Sequence, residues 1–183
     1  MRKLNRIRCS YPSPQGGFTL FELMFGILLI SVLMALATPS FKQYTASTRT
    51  SAASNSLAAA FAVARSEALL RSTSVTVCGS TDQKTCIASP GTNWTGGWIA
   101  FADTTGNGIL DGTDQLIQAW SGVGSTVAVT ADHAYVQYNA RGMSSTGAAV
   151  TITVAAAGCT GNKKSQLVVT VGGSPQQSYI ACP

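Results

Sequence analysis

Apolar and polar positions change rhythm three times along the chain. From Phe18 to Thr38 almost every position is apolar or small, with one carboxylate, Glu22, and no basic residue. At about 1.5 Å per residue, a helix over this run spans a hydrocarbon core of roughly 30 Å. Beyond it, Phe41, Tyr44, Leu57, Phe61, Ala64, Ala68 and Leu69 recur mainly at spacings of three and four, which predicts an amphipathic helix to Arg71. Ala52, Ala53, Ala58, Ala59, Ala60 and Ala62 add strong helix formers of little bulk, so this helix can lie close against a sheet. Pro39 removes a backbone donor and is expected to kink the helix without ending it, because the helical pattern resumes afterwards.

From Ser74 onward the rhythm shortens. β-like runs at Val75–Cys78, Trp98–Ala102, Gln115–Trp120, Thr126–Thr130, Ala134–Tyr138, Val150–Val154, Gln166–Val171 and Ser178–Ala181 alternate with turns rich in Gly, Ser, Thr, Asn and Asp. Their spacing predicts antiparallel sheet, in one curved layer or two packed layers. The fold class is α+β: a long N-terminal helix, transmembrane and then amphipathic, packed on an antiparallel β domain.

Composition sharpens this picture. Charged residues make up only 10% of the chain, against about 25% in ordinary soluble domains, so part of it is expected outside water. The net charge of +5 is concentrated: four of the twelve basic residues are Arg2, Lys3, Arg6 and Arg8. Without residues 1–17, 12 − 4 = 8 basic residues face seven acidic ones, a balance of +1. The basic pI therefore does not describe a face that attracts nucleic acid over a whole domain. Positive charge ahead of the apolar run predicts a cytoplasmic N-terminus and an outward-facing C-terminal part.

The order of parts excludes an ordinary secretory signal, whose cleavage site follows its apolar segment. Here the small pair Gly16-Gly17 precedes it. The run Gly16-Gly17-Phe18-Thr19-Leu20-Phe21-Glu22 resembles the processing site of type IV prepilins and type II secretion pseudopilins. That resemblance implies a prepilin peptidase that cuts after Gly17 and N-methylates the Phe18 amine. It also implies that Glu22 pairs with the Phe18 amine of a neighbouring subunit. A carboxylate inside an apolar helix costs several kcal/mol unless paired, and a new α-amine one turn upstream supplies a partner. Four segments are expected: a leader over 1–17, a transmembrane and assembly helix over 18–38, its amphipathic continuation over 39–72, and a β-rich periplasmic domain over 73–183.

Three further stretches resemble the GspH, FimT and FimU group of minor pilins: Ala64-Arg65-Ser66-Glu67-Ala68, Gly97 to Asp103 followed by Asn107-Gly108, and Tyr138-Asn139-Ala140-Arg141-Gly142. Arg65 and Glu67 themselves read as solvated residues of a helix face. The resemblance implies a structural subunit held in the bacterial inner membrane and then built into a pilus or pseudopilus, with other pilins as partners through the N-terminal helix. A place in the initiating or tip complex of a type IV pilus follows from it, with a type II secretion pseudopilin and a FimT-like DNA-binding minor pilin as alternatives.

Chemistry beyond assembly is sparse. Of five cysteines, Cys9 lies in the expected leader, and the other four suggest two disulfides in an oxidising compartment. Cys78 with Cys86 and Cys159 with Cys182 is the simplest pairing, but four cysteines allow three connectivities. There is no Cys-x-x-Cys and one histidine, so zinc spacings are absent. Asp103, Asn107, Asp111 and Asp114 fall on a calcium-loop template at positions 1, 5, 9 and 12, with poor matches at 3 and 12 and no flanking helices; a polar hairpin is expected, with no metal and no cofactor. His133 has no nucleophile and orienting group to work with and reads as a turn residue, so no enzyme is expected. DNA binding would need clustered cations. The Val171 to Pro175 stretch lacks the arginines that the DNA-binding relatives carry, and Lys163 with Lys164 is only a small basic pair.

Overall fold

The computed structural model describes residues 17–88, 91–161 and 163–182, with the side chains of 36–40 outside the description. The expected leader, apart from Gly17, therefore lies outside the described residues, as does the Pro39 ring whose kink the sequence predicts. One α-helix, α1 (Leu20–Arg71), is followed by eight strands: β1 (Ser74–Gly79), β2 (Gly97–Asp103), β3 (Gln115–Ser121), β4 (Val127–Ala131), β5 (Tyr135–Tyr138), β6 (Val150–Ala156), β7 (Lys164–Val169) and β8 (Pro175–Ile180). The described residues fall into two units, one ending at Ser40 and one beginning at Phe41.

In the second unit the strands form two four-stranded antiparallel sheets, ordered β3-β2-β1-β5 and β4-β6-β7-β8. Of the two layerings open to the sequence, the packed pair is the one adopted. β4, β6 and β7 alternate buried and less buried positions, so that sheet has one face on the core. β2 is buried along its whole length, because its sheet is covered on both faces. Val75, Val77, Trp98 and Ala100 face the main core, while Cys78, Ile99 and Phe101 face a smaller outer core completed by Cys86, Leu110, Ala119 and Tyr135.

The helix joins that main core through Ala53, Leu57, Ala60, Phe61, Ala64 and Ala68. Their small side chains bring the backbone close, and only Leu57 and Phe61 project deeply. Phe41, Tyr44 and Leu69, expected on the same face, are exposed instead. At about 100° per residue they stand roughly 160°, 140° and 120° round the helix from Leu57, so spacings that look helical in sequence do not close into one stripe. Trp94, outside any strand, is fully buried. Its indole donates to the Gly91 carbonyl at 3.0 Å and its ring lies 6.3 Å from Phe61. Gly79 makes room for it, since a Cβ there would come within 2.7 Å of the Trp94 ring.

Candidate functional site

Gly17, Phe18 and Thr19 precede the helix and are exposed. Helix formation starts at Leu20 because Thr19 caps it: the Glu22 amide donates to Thr19 Oγ1 at 3.2 Å, and the Leu23 amide donates to the Thr19 carbonyl at 3.1 Å. Thr19-Leu20-Phe21-Glu22 thus has the spacing of a capping box. It puts the Glu22 carboxylate in the first turn, beside the positive end of the helix dipole. Around it, Leu20, Phe21, Leu23, Met24, Phe25, Ile27 and Leu28 are all more than half exposed. Such a surface, apolar on every side, needs a lipid or protein environment. Among the described residues no helix is long and apolar enough to cross a membrane. The expected span, however, ends in Leu36, Ala37 and Thr38, whose side chains lie outside the description.

In the second unit the polar residues singled out from sequence do structural work. Asp103, at the end of β2, is fully buried. One carboxylate oxygen accepts from the Gly106 and Asn107 amides at 2.6 and 3.2 Å; the other accepts from the Gly108 amide, Thr76 Oγ1 and Gln137 Nε2 at 2.8 to 2.9 Å. Asp111 caps the Thr113 amide and hydroxyl, which holds its pKa below the ordinary range. Asp114 accepts from the Thr104 and Asp111 amides. These carboxylates are committed to backbone donors, Asn107 bonds to Ile109 and Asp111, and no cluster able to hold a metal occurs among the described residues. His133 bonds only to its neighbour Asp132, in an exposed turn.

Arg65 is the residue that sequence reading missed. Instead of standing in solvent, it donates from Nε to the Gly142 carbonyl at 2.9 Å, from Nη1 to Ser174 Oγ at 3.2 Å and from Nη2 to the Gly172 carbonyl at 3.2 Å. One guanidinium fork thus ties the helix to the turn after β5 and to the β7–β8 hairpin. The turns meet there because Gly142 and Gly173 have positive φ, and a Cβ on Gly173 would collide with the Gly142 carbonyl oxygen. The signal was present in the sequence: Arg65 sits between Ala64 and Ala68, on the edge of the buried stripe. Glu67, by contrast, does lie on the outer face, paired with Arg71 at 2.6 Å.

Disulfides join Cys78 to Cys86 and Cys159 to Cys182, with Cα separations of 5.6 and 5.8 Å. The first holds the loop after β1 over the outer core. The second joins the residue after the β8 end region to the loop before β7, where the Cys182 amide also donates to the Gly161 carbonyl. Lys163 and Lys164 are half-buried at the start of β7.

Comparison with known proteins places these features. A family described as "Type II transport protein GspH" matches residues 53–174, and a "Prokaryotic N-terminal methylation motif" matches residues 12–38. No curated protein matches the chain by sequence. Two crystal forms of the Pseudomonas aeruginosa (strain PAO1) type IV minor pilin FimU superpose with a TM-score of 0.53, at 17% and 16% identity. They cover 70% and 77% of this chain and 91% of theirs. At this identity the likeness establishes the fold: a long N-terminal helix on antiparallel sheets, as in pilins. The methylation motif implies processing by a prepilin peptidase, and pilin membership implies other pilins as partners. With an apolar helix start, two turns anchored by Arg65 and a family model that spans most of the β domain, the chain belongs to the GspH family of minor pilins and pseudopilins, which are structural subunits and not enzymes.

Proposed function

We propose that this chain is a minor pilin of a type IV pilus, processed after Gly17 and N-methylated at Phe18. It resides in the inner membrane through residues 18–38, with its β domain on the periplasmic side, and then enters the filament near its initiating or tip complex. The observation that carries this reading is the helix start. Glu22 stands in the first turn of a helix whose surroundings are apolar on every side, just after an exposed, non-helical Gly17-Phe18. Cleavage there creates an α-amine four residues from a carboxylate that has no cation beside it among the described residues. Burial in a helix bundle penalises both charges, so pairing them across subunits fixes the axial register of a newly added copy.

Mass spectrometry of the mature N-terminus from native membranes tests this. The expected product begins with methylated phenylalanine at Phe18, and Glu22→Ala leaves processing intact while abolishing incorporation into sheared filaments. A mature chain that retains residues 1–17, or full incorporation of Glu22→Ala, would sink the proposal.

A second reading is favoured by the printed description of the matched family, a type II transport protein. In that case the subunit serves a secretion pseudopilus. Deleting its gene then blocks export of a folded enzyme and leaves surface pili unchanged.

A further inference from the structure

The unit that begins at Phe41 carries its charges unevenly. Lys42 and Arg49 are both exposed and stand seven residues apart on α1, hence on one helix face, about 10 Å apart along its axis. Together they line a cleft of about 440 Å³ whose other walls include Phe41, Thr45, Thr126, Ala156 and Gly158. Arg49 donates to Thr126 Oγ1 at 3.3 Å, and among the described residues neither cation is paired with a carboxylate. Across Ala46, Lys163 faces Gln43 and Ser47, so both flanks of this helical stretch are basic.

The carboxylates of the unit lie elsewhere. Glu67 is paired with Arg71 at the far end of the helix. Asp103 ends β2, Asp82, Asp111 and Asp114 sit on loops flanking β1, β2 and β3, and Asp132 lies beyond the end of β4 opposite Thr126. A near-neutral domain therefore presents a cationic end. That end is tied to the apolar run: Lys42 is four residues past Thr38, so its Cα lies within about 15 Å of it whatever path the backbone takes. Phe41, 71% exposed, lines the same cleft. An exposed aromatic and unpaired cations, close in the chain to an apolar segment and with no side-chain carboxylate beside them among the described residues, have the composition of a membrane interface.

We infer that the Lys42–Arg49 cleft is a docking surface for anionic phospholipid headgroups in the leaflet that faces the β domain. The headgroup phosphate meets the two cations, and Phe41 enters the headgroup layer beside it. The inference rests on residues 18–38 lying in the membrane. That tether favours a lipid over nucleic acid as the source of the phosphate. The surface steadies the domain over the bilayer before assembly, and withdrawing the subunit into a filament must break these contacts.

Native mass spectrometry of the mature full-length chain, released from micelles with equal amounts of phosphatidylglycerol and phosphatidylcholine, tests it. Phosphatidylglycerol should be retained preferentially, by about five-fold for each basic residue engaged. Lys42→Gln combined with Arg49→Gln should bring retention close to parity, while Arg49→Lys keeps the preference. Both side chains are exposed, and circular dichroism verifies that the variants stay folded. Equal retention by the unaltered chain, or an undiminished preference in the double variant, overturns the inference. Displacement of the lipid by inorganic phosphate or by a DNA duplex also overturns it, reassigning the cleft to a free anion or to nucleic acid. Alkaline washing of native membranes separates the underlying reading: release of the chain refutes membrane residence itself, whereas a retained chain without lipid preference refutes only the docking surface.

Discussion

Arg65 shows what one side chain can decide. Its three donors serve two backbone carbonyls and a hydroxyl on separate turns. Arg65→Ala leaves the Gly142 and Gly172 carbonyls without these donors. It should destabilise the β domain by about 2 to 3 kcal/mol, read as a lower midpoint in denaturant, with Arg65→Lys recovering only a fraction. Its place on the edge of the buried stripe was legible, but its partners were not, because both carbonyl acceptors are main-chain atoms in turns more than seventy residues away. Asp103 has the same character. As a motif it matched a cation loop, yet its oxygens are taken by amides, Thr76 and Gln137, a set assembled by strand pairing that no local pattern reveals. Burial also raises the Tyr138 phenol well above its ordinary value, against the pull of the Arg65 charge.

Among the elements, the strands were the most legible. All eight expected runs appear, with ends shifted by three residues or fewer, because turn residues punctuate them and alternation marks their buried faces. The helix face was legible from Leu57 to Ala68 and misread at Phe41 and Tyr44, where bulk was mistaken for burial. Trp94 was missed because it lies outside any periodic run, although Gly79 is the gap it fills. The loop after β1 has its own electrostatics. Asp82 accepts from the Lys84 and Thr85 amides and the Thr85 hydroxyl, which lowers its pKa well below 3.8. A depressed carboxylate stabilises fully above its unfolded value and loses that contribution as pH falls through the folded one. The Lys84 and Thr85 amides should therefore stay protected from hydrogen exchange down to about pH 4 and below, and open in Asp82→Asn at every pH. Equal exchange in the two proteins would contradict this.

At the scale of the molecule, the α+β class, a long helix followed by antiparallel strands, was readable from sequence, since it follows from run length and period. The division of the strands into two sheets was not, because β5 pairs with β1 while β4, next to it in sequence, pairs with β6. The second disulfide secures this arrangement, closing a separation of 23 residues around β7 and β8. Cys182→Ser should cost about 3 kcal/mol by the loop-entropy estimate, with exchange protection lost first in β8. Uniform loss across both sheets would show instead that the bond supports the whole fold.

The Thr19 cap carries a consequence for maturation. A peptidase must accommodate its substrate backbone as an open ribbon, because a helical peptide hides the scissile carbonyl within its own hydrogen-bond ladder. By stopping the helix at Leu20, the threonine hydroxyl leaves the bond between Gly17 and Phe18, the proposed cleavage site, outside the ladder. The same short run of residues would then serve as both address and hinge, fixing where the rod begins and where the knife falls.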